Sequence, residues 1–234
     1  MVQMAGFDSL HRSNNHSIKT ILIMAKREIF SIKSIKEKKY QRIDISSEYA
    51  SLMGYPEKKF TGLAYGESGS GKSVYVLQFA NYFATHFGKV LYNSHEERVS
   101  QTIQDRVNNF DIDAQRLFIA NGLPFNRMCS YIEKNYYRLV IIDSVKYMNF
   151  NIDQLKEMRE RFAKRQLSIF MVDFGSVKGS PASGKDLIHA SDIKMYFKNG
   201  KVNAISRYTD KPADKQLFIP ETTQSLPSLF RNQY

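Results

Sequence analysis

The chain has 234 residues, of which 42% are hydrophobic and 24% are charged, a composition typical of a globular domain with one substantial core. Its 34 Lys and Arg exceed its 23 Asp and Glu, and the resulting formal charge of +11 favours polyanionic partners, above all nucleic acid. No apolar run approaches the roughly 20 residues that a membrane-spanning helix requires, so we expect no membrane association.

Cys129 is the only cysteine of the sequence. A single cysteine excludes a disulfide within the chain and a zinc site built from several cysteines. We therefore expect a reducing, cytoplasmic location.

The segment from Lys26 to Arg42, "KREIFSIKSIKEKKYQR", is rich in Lys and Arg. Such a segment either contacts nucleic acid or is simply a solvated charged surface, and the residues favour neither interpretation. We predict a basic, partly flexible N-terminal extension over residues 1–55, a core over residues 56–220 and a tail over residues 221–234.

From Thr61 onward, short apolar runs alternate with segments of helical period. Alternation of this kind predicts an α/β fold with a mostly parallel central sheet and helices on both of its faces. The predicted strands are Thr61–Tyr65, Lys89–Ser94, Arg116–Ala120, Arg138–Asp143 and Leu167–Asp173. The predicted helices are Lys72–Phe87, Glu97–Asn109, Phe125–Asn135 and Ile152–Arg165.

The pattern changes after Asp173. Gly175 to Lys185 is a Gly/Ser/Lys loop without apolar period. Beyond it, an Asn199-Gly200 pair between two alternating runs predicts a C-terminal β-hairpin. A last strand is predicted near Gln216 to Ile219.

The stretch "GESGSGKS" follows the first predicted strand and opens the first long helix. It fits the pattern G-x-x-x-x-G-K-[ST], in which glycines let backbone N–H groups surround phosphate oxygens at a helix N-terminus. In this pattern the lysine reaches the β- and γ-phosphates and the following hydroxyl binds Mg²⁺. The predicted cofactors are therefore ATP and Mg²⁺. The predicted binding residues are Gly66, Glu67, Ser68, Gly69, Ser70, Gly71, Lys72 and Ser73.

Two carboxylates complete the predicted site. Asp143 ends the apolar strand "LVIID", where an acid holds Mg²⁺ next to the phosphate loop, although a strand-terminal Asp can also cap a helix. Glu96 follows the second strand and is the predicted base that activates water, whereas Glu97 either assists it or is an acid in the first turn of a helix. Asp173 ends the next strand, where a polar residue can sense the γ-phosphate.

The order of these segments resembles the RecA superfamily of P-loop ATPases, and within it the ATPase core of bacterial RadA (Sms), with KaiC as the next relative. "LYNSHEER" is similar to the RadA segment "YVSGEES", and "LVIIDSVKYM" is similar to "VVIDSIQ". "GSPASGKDLIHASDIKMYF" is similar to "AGPKVLEHMVDTVLYF", which is more specific than a phosphate loop. The resemblance covers about Tyr65 to Arg207.

The resemblance implies a RecA-like ATPase with Glu96 and Lys72 as catalytic residues, working as a homo-oligomer on single-stranded DNA in recombination, repair or replication. It implies DNA contacts at the loops near Lys146 to Asp153 and Gly175 to Lys185. Lys178 and Lys185 suit backbone phosphates. Tyr147 and Phe150 are candidates for base stacking or for core packing.

One segment departs from the family pattern. The RadA sequence "KNRFG" corresponds to "ISRYT", so that Arg207 stands at the family's arginine and Ile205 at its lysine. In the family this segment helps to complete the ATP site of the neighbouring subunit. Two alternatives to a DNA-dependent ATPase therefore stay open: a nucleotide-gated assembly protein with little hydrolysis, and a KaiC-like regulator with protein partners.

Overall fold

The computed structural model describes residues 29–175 and 179–217. Four predicted features fall wholly or partly outside these residues: the start of the basic extension, Lys178, residues 218–219 of the last predicted strand, and the tail. The chain divides into two units, Met1–Tyr40 and Gln41–Tyr234. Among the described residues, no helix combines the length and apolar character needed to span a bilayer.

In the first unit the structure describes residues 29–40, which include a short helix, α1 (Ile32–Glu37). Ser31 caps it, because its Oγ accepts a hydrogen bond of 3.1 Å from the backbone N–H of Ser34. None of the helix residues is buried. The Lys38 ammonium lies over the ring of Tyr40, 4.9 Å from its centroid.

The second unit is a sheet covered by helices. Its helices are α2 (Ser47–Met53), α3 (Lys72–His86), α4 (Gln101–Asn109), α5 (Phe125–Lys134), α6 (Val145–Met148), α7 (Ile152–Arg161) and α8 (Lys185–Ala190). Its strands are β1 (Thr61–Gly66), β2 (Lys89–Ser94), β3 (Leu117–Asn121), β4 (Tyr137–Asp143), β5 (Ser168–Phe174), β6 (Ile193–Lys198), β7 (Lys201–Ser206) and β8 (Ala213–Gln216).

In the described residues the sheet has eight strands in the order β3-β2-β4-β5-β1-β6-β7-β8. The pairs from β3 to β6 are parallel, whereas β6, β7 and β8 pair antiparallel. This confirms the predicted α/β class, the mostly parallel sheet and the C-terminal hairpin. The carboxyl ends of β1, β2, β4 and β5 meet at one edge, here called the carboxyl edge, and their first residues form the opposite amino edge.

Strand β4 is buried on both faces of the sheet, which explains its unbroken apolar run. Leu139 and Ile141 belong to the core cluster that includes α3, and Val140 and Ile142 belong to the cluster that includes α5 and α7. Consecutive side chains of a strand point to opposite faces, so β4 contributes buried side chains to both faces of the sheet.

The predicted boundary after residue 55 lies within the second unit. Ile43, Tyr49 and Leu52 are buried in the core of the second unit, and the division of the chain falls between Tyr40 and Gln41. Helix α2 packs on α3 through Tyr49, whose ring contacts the rings of Tyr75 and Phe79.

Several element boundaries differ from the prediction. Helix α4 begins at Gln101 rather than Glu97, and α7 ends at Arg161 rather than Arg165. The last described strand is β8, which lies earlier in the chain than the strand predicted near Gln216 to Ile219. Helices α1, α6 and α8 were missed because each is too short to show a helical period.

Candidate functional site

The predicted phosphate loop, Gly66 to Ser73, leaves β1 and enters α3 at the carboxyl edge. Gly66 has a φ of 150°, and a Cβ at this position would lie 2.0 Å from the Phe197 carbonyl oxygen of β6. Gly71 has a φ of 91° and directly precedes the first turn of α3. Only glycine permits this close approach and this turn. The loop therefore presents the N-terminus of a 15-residue helix at the edge of the sheet.

Lys72 is folded onto its own loop. Its Nζ donates a hydrogen bond of 2.7 Å to the Glu67 carbonyl oxygen, which also accepts from the Ser70 hydroxyl at 2.7 Å. Burial lowers the pKa of Lys72, and the charges of Glu96 and Asp143 oppose that shift. Both carboxylates therefore lie close enough to act on the lysine ammonium.

Asp143 ends β4 with 4% of its surface exposed. One carboxylate oxygen, Oδ2, accepts a hydrogen bond from the Tyr92 hydroxyl. The other, Oδ1, is buried and has no partner among the described residues. Burial raises the pKa of Asp143, against the lowering effect of the Tyr92 hydrogen bond. A buried oxygen without a partner is costly and suits a cation.

The residues present fit Mg²⁺ held together with a phosphate. Among the described residues, no group of three or more His, Cys, Asp or Glu could hold a metal ion by itself. Magnesium commonly takes one or two protein ligands and completes its shell with phosphate oxygens and water. The free oxygen of Asp143 and the hydroxyl of Ser73 are ligands of that kind. Strand β5 lies between β1 and β4, so Asp143 is not on the strand adjacent to the phosphate loop.

Glu96 follows β2, whose last residue, Ser94, pairs with Asp143. The Glu96 backbone N–H donates to the Asp143 carbonyl oxygen at 3.3 Å. Its side chain reaches solvent, yet its pKa is raised to about 7 by partial desolvation and by the charges of Asp143 and Glu97, with Lys72 opposing. A carboxyl group with a pKa near neutrality suits proton transfer.

Glu97 has a different environment. Its carboxylate pairs with Arg106 at 2.7 Å and accepts from the Thr102 hydroxyl at 3.1 Å. It precedes α4 rather than lying in the first turn of that helix. The two neighbouring glutamates are thus distinguished by their partners, and Glu96 is the one whose carboxylate has no ion pair among the described residues.

Asp173 and Phe174, the last two residues of β5, point to opposite faces of the sheet. Asp173, 1% exposed, accepts from the backbone N–H of Ser183 at 2.9 Å and from its hydroxyl at 2.5 Å. The ring of Phe174 lies 6.0 Å from the Lys72 Nζ and 5.6 Å from the ring of Tyr147. The acid predicted as a phosphate sensor therefore holds the following loop, and an aromatic ring faces the lysine.

A cavity of about 320 Å³ adjoins the phosphate loop on the α3 side. Sequence reasoning missed it, because its walls come from α2, α3 and β8 and no local motif marks them. Its lining residues are Glu48, Tyr49, Gly71, Val74, Tyr75, Gln78, Lys215, Gln216 and Leu217.

The two loops predicted to contact DNA are described in part. In the first, Tyr147 is 59% exposed, whereas Phe150 is 2% exposed and belongs to the core. Of these two, only Tyr147 is available for stacking. In the second, Gly175 bridges to Pro181, and Lys185 is exposed at the start of α8.

Ile205 and Arg207 lie at the end of β7 that is remote from the phosphate loop. Ser206 between them pairs with Ile193, the first residue of β6. The Ile205 side chain is 58% exposed, and Arg207 pairs with Asp192 at 2.9 Å while remaining largely exposed. The structure therefore does not bring Arg207 to the site of its own chain.

Comparison with known proteins supports the resemblance drawn from the motifs. DNA repair protein RadA of Helicobacter pylori is 31% identical over 144 residues, which is 56% of this chain and 32% of that protein. DNA repair protein RadA of Campylobacter jejuni is 28% identical over 152 residues, or 60% of this chain and 34% of that protein. The match thus spans about a third of these relatives. No protein-family model matches the chain.

Solved structures agree on the fold. A KaiC-like protein from Pyrococcus horikoshii superposes with a TM-score of 0.57 at 14% identity, covering 76% of this chain and 93% of that one. The chain is RadA-like in sequence and RecA-like in fold. The flagellar accessory protein FlaH of Methanocaldococcus jannaschii gives a TM-score of 0.53 at 18% identity, with coverage of 71% and 86%. The predicted resemblance to RadA and to the RecA-like fold is confirmed, and the likeness to a KaiC-like protein holds for the fold.

Proposed function

We propose that this chain binds ATP together with Mg²⁺ and hydrolyses ATP, and that it works in the cytoplasm as an oligomer on single-stranded DNA. One observation carries the proposal. Lys72, Asp143 with its unpartnered Oδ1, and Glu96 with its raised pKa converge at the carboxyl edge, next to a glycine loop that opens a helix.

Binding would use groups already in place. The backbone N–H groups of Gly66 to Ser73 would surround the phosphates, and Lys72 would exchange the Glu67 carbonyl for phosphate oxygens. Asp143 and Ser73 would hold Mg²⁺, whose charge would offset the negative charge of the phosphates. The neighbouring 320 Å³ cavity would take the rest of the nucleotide.

Hydrolysis would depend on Glu96 in its deprotonated form. A carboxylate with a pKa of about 7 accepts a proton from water more readily than an ordinary glutamate does. Lys72 would stabilise the charge that develops on the transferred phosphoryl group. Glu97, paired with Arg106, would hold the segment after β2 in position.

Action on DNA and oligomerisation are supported indirectly. The net charge of +11 favours a polyanion. The sequence relatives are DNA repair proteins by name, and Tyr147 and Lys185 are exposed in the two candidate DNA loops. Arg207, exposed at the far end of β7, would act on the ATP site of a neighbouring subunit.

The decisive measurement is the ATPase rate with and without single-stranded DNA, combined with particle size with and without ATP. We expect DNA to stimulate turnover and ATP to increase particle size. Lys72→Ala should abolish turnover because it removes the cation that contacts the phosphates. Turnover of that variant at the parent's rate would refute the site assignment.

A second candidate function is a nucleotide-gated assembly protein with little hydrolysis and protein partners, as in a KaiC-like regulator. Two observations favour it: Ile205 replaces the family's lysine, and the nonpolar ring of Phe174 faces Lys72. Single-turnover assays separate the two functions. Tight ATP binding without turnover, and no salt-sensitive DNA binding, would support the second.

A further inference from the structure

The amino edge of the sheet carries many cations, and several of them have a structural role. The C-terminal ends of the helices lie at this edge, where their carbonyl groups carry partial negative charge. Arg116 donates to the Thr85 carbonyl of α3, and Lys59 donates to the Ala163 carbonyl just beyond α7. Arg165 donates to the Glu133 carbonyl of α5 at 2.7 Å. Helix capping explains these three residues.

Three further cations at the same edge have no such partner within residues 29–175 and 179–217. Arg42, Lys58 and Arg138 line one cavity of about 230 Å³. Among the hydrogen bonds and ion pairs of the described residues, none involves the side chains of these three cations. They come from three separate segments, before α2, before β1 and in β4, so sequence proximity alone does not account for their convergence.

The remaining lining of the cavity is consistent with an anion. One carboxylate, that of Asp44, stands against the three cations, together with the amide of Gln166 and the imidazole of His86. Ile43, Phe83 and Phe87 form the apolar part. Like charges that share a cavity repel each other at a cost in free energy, which solvent reduces here because Arg42 is exposed and Lys58 and Arg138 are half-buried. A bound anion would remove that cost.

The position of Arg138 is built into the fold. A Cβ on Gly88, which has a φ of 141°, would lie 2.6 Å from the Cγ of Arg138. Glycine at this turn leaves room for the arginine stem, so the guanidinium is carried by a packed chain rather than by a freely moving one.

We propose that this cavity binds a phosphate group, carried either by a nucleic-acid backbone or by a small free phosphate. Arginine and lysine are the usual protein partners of phosphate. The cavity is smaller than the roughly 300 Å³ at which small-molecule sites begin, so it suits a single phosphate or sugar-phosphate unit rather than a whole nucleotide. It lies at the edge opposite the phosphate loop and is separate from the proposed ATP site.

The test uses the full chain without nucleotide. The double variant Arg42→Gln/Arg138→Gln removes two cavity cations, and Lys156→Gln/Lys201→Gln removes the same charge outside the cavity. Binding of a labelled single-stranded oligonucleotide is measured by anisotropy over a salt series. We expect the cavity variant to bind about tenfold more weakly, with a salt slope reduced by about 0.7 for each lost phosphate contact, and the control to retain most of its affinity.

A second arm identifies the source of the phosphate. Inorganic phosphate should raise the melting temperature of the cavity variant less than that of the parent and of the control if the site takes free phosphate, because the loop Gly66 to Ser73 is unchanged in all three. Loss in the oligonucleotide arm supports a nucleic-acid backbone, and loss confined to the phosphate arm supports a small anion. Equal behaviour of the two variants in both arms would overturn the proposal. ATP affinity, measured in parallel, should be unchanged, so failure here is distinct from failure of the ATP site.

Discussion

At the residue scale, the properties of the candidate site depend on which buried polar atoms have a hydrogen-bond partner. Asp143 has one oxygen bound to the Tyr92 hydroxyl and one without a partner. Tyr75 is a second buried tyrosine, and its hydroxyl has no hydrogen-bond partner among the described residues. These two tyrosines therefore form a natural pair for measuring what the Asp143 contact contributes.

We expect Tyr92→Phe to lower the free energy of unfolding by about 1–3 kcal/mol, because it leaves both oxygens of a buried carboxylate without a partner. The matched change Tyr75→Phe removes a hydroxyl that has no partner, so it should be neutral or slightly stabilising. Urea unfolding of the nucleotide-free protein checks both. Equal losses in the two variants would show that the Tyr92–Asp143 bond contributes nothing specific.

The raised pKa of Glu96 predicts a pH-dependent stability. The folded-state pKa is about 7, above the ordinary 4.5, so the folded state holds a proton that the unfolded chain releases between these values. The free energy of unfolding therefore falls as the pH rises from 4.5 to 7.

Glu96→Gln removes that dependence. Because the side chain is exposed and screened by solvent, we expect the nucleotide-free variant to exceed the parent by only about 1 kcal/mol at pH 8, with a smaller difference at pH 5. Urea titrations at both pH values measure it. A difference that grows toward low pH would contradict the sign of the shift.

At the element scale, the phosphate loop is shaped by its contact with β6. Gly66 faces the Phe197 carbonyl closely, whereas a Cβ on Gly69, at a φ of 70°, would meet no atom within 4 Å. Both glycines have a positive φ, but only the first is also confined by a neighbouring strand. Substitutions at the two positions thus separate the cost of backbone strain from the cost of a steric clash.

We expect Gly69→Ala to destabilise the protein by about 1–2 kcal/mol, the cost of a positive φ for a residue with a Cβ. Gly66→Ala should cost clearly more, because the Cβ would force β1 and β6 apart at the carboxyl edge. Thermal unfolding without nucleotide compares them. Equal melting temperatures would show that the loop can move away from β6.

At the scale of the whole molecule, substitutions at the end of β7 would test the proposed oligomer. Ile205 and Arg207 are both exposed there, at the end of β7 remote from the phosphate loop of the same chain. A role in ATP hydrolysis would therefore require a second copy. An exposed isoleucine where the family has a lysine would weaken turnover at such a shared site.

If the proposed function is right, Ile205→Lys should raise the ATPase rate about tenfold or more, since one added donor can contribute strongly to a charged transition state. Ile205→Gln, which is polar but uncharged, should leave the rate near that of the parent. The gain should appear only at protein concentrations at which particles assemble. An increase that is independent of concentration would argue against a site shared between subunits.

Much of the fold was predictable because its signals are local. The glycine spacing of Gly66 to Ser73, the apolar run of β4 and the Asn199-Gly200 turn each depend on a few consecutive residues. Boundaries were less predictable where helix ends are set by remote partners, as at α7, beyond which Arg165 binds the end of α5. The catalytic and metal-binding roles of the site residues stay predictions.

Sequence alone was sufficient to predict the fold class and the glycine turn from β1 into α3, since backbone conformation and helix initiation respond to near neighbours. It could not predict that β5 separates β1 from β4, that Asp173 binds Ser183 while Phe174 faces Lys72, or that Glu97 pairs with Arg106. It could not predict the cavity of Arg42, Lys58 and Arg138 either. Most of these features join residues that are distant along the chain. The directions of the Asp173 and Phe174 side chains depend on how β5 pairs with its neighbours. Distant contacts and side-chain directions are therefore decided only when the sheet has formed.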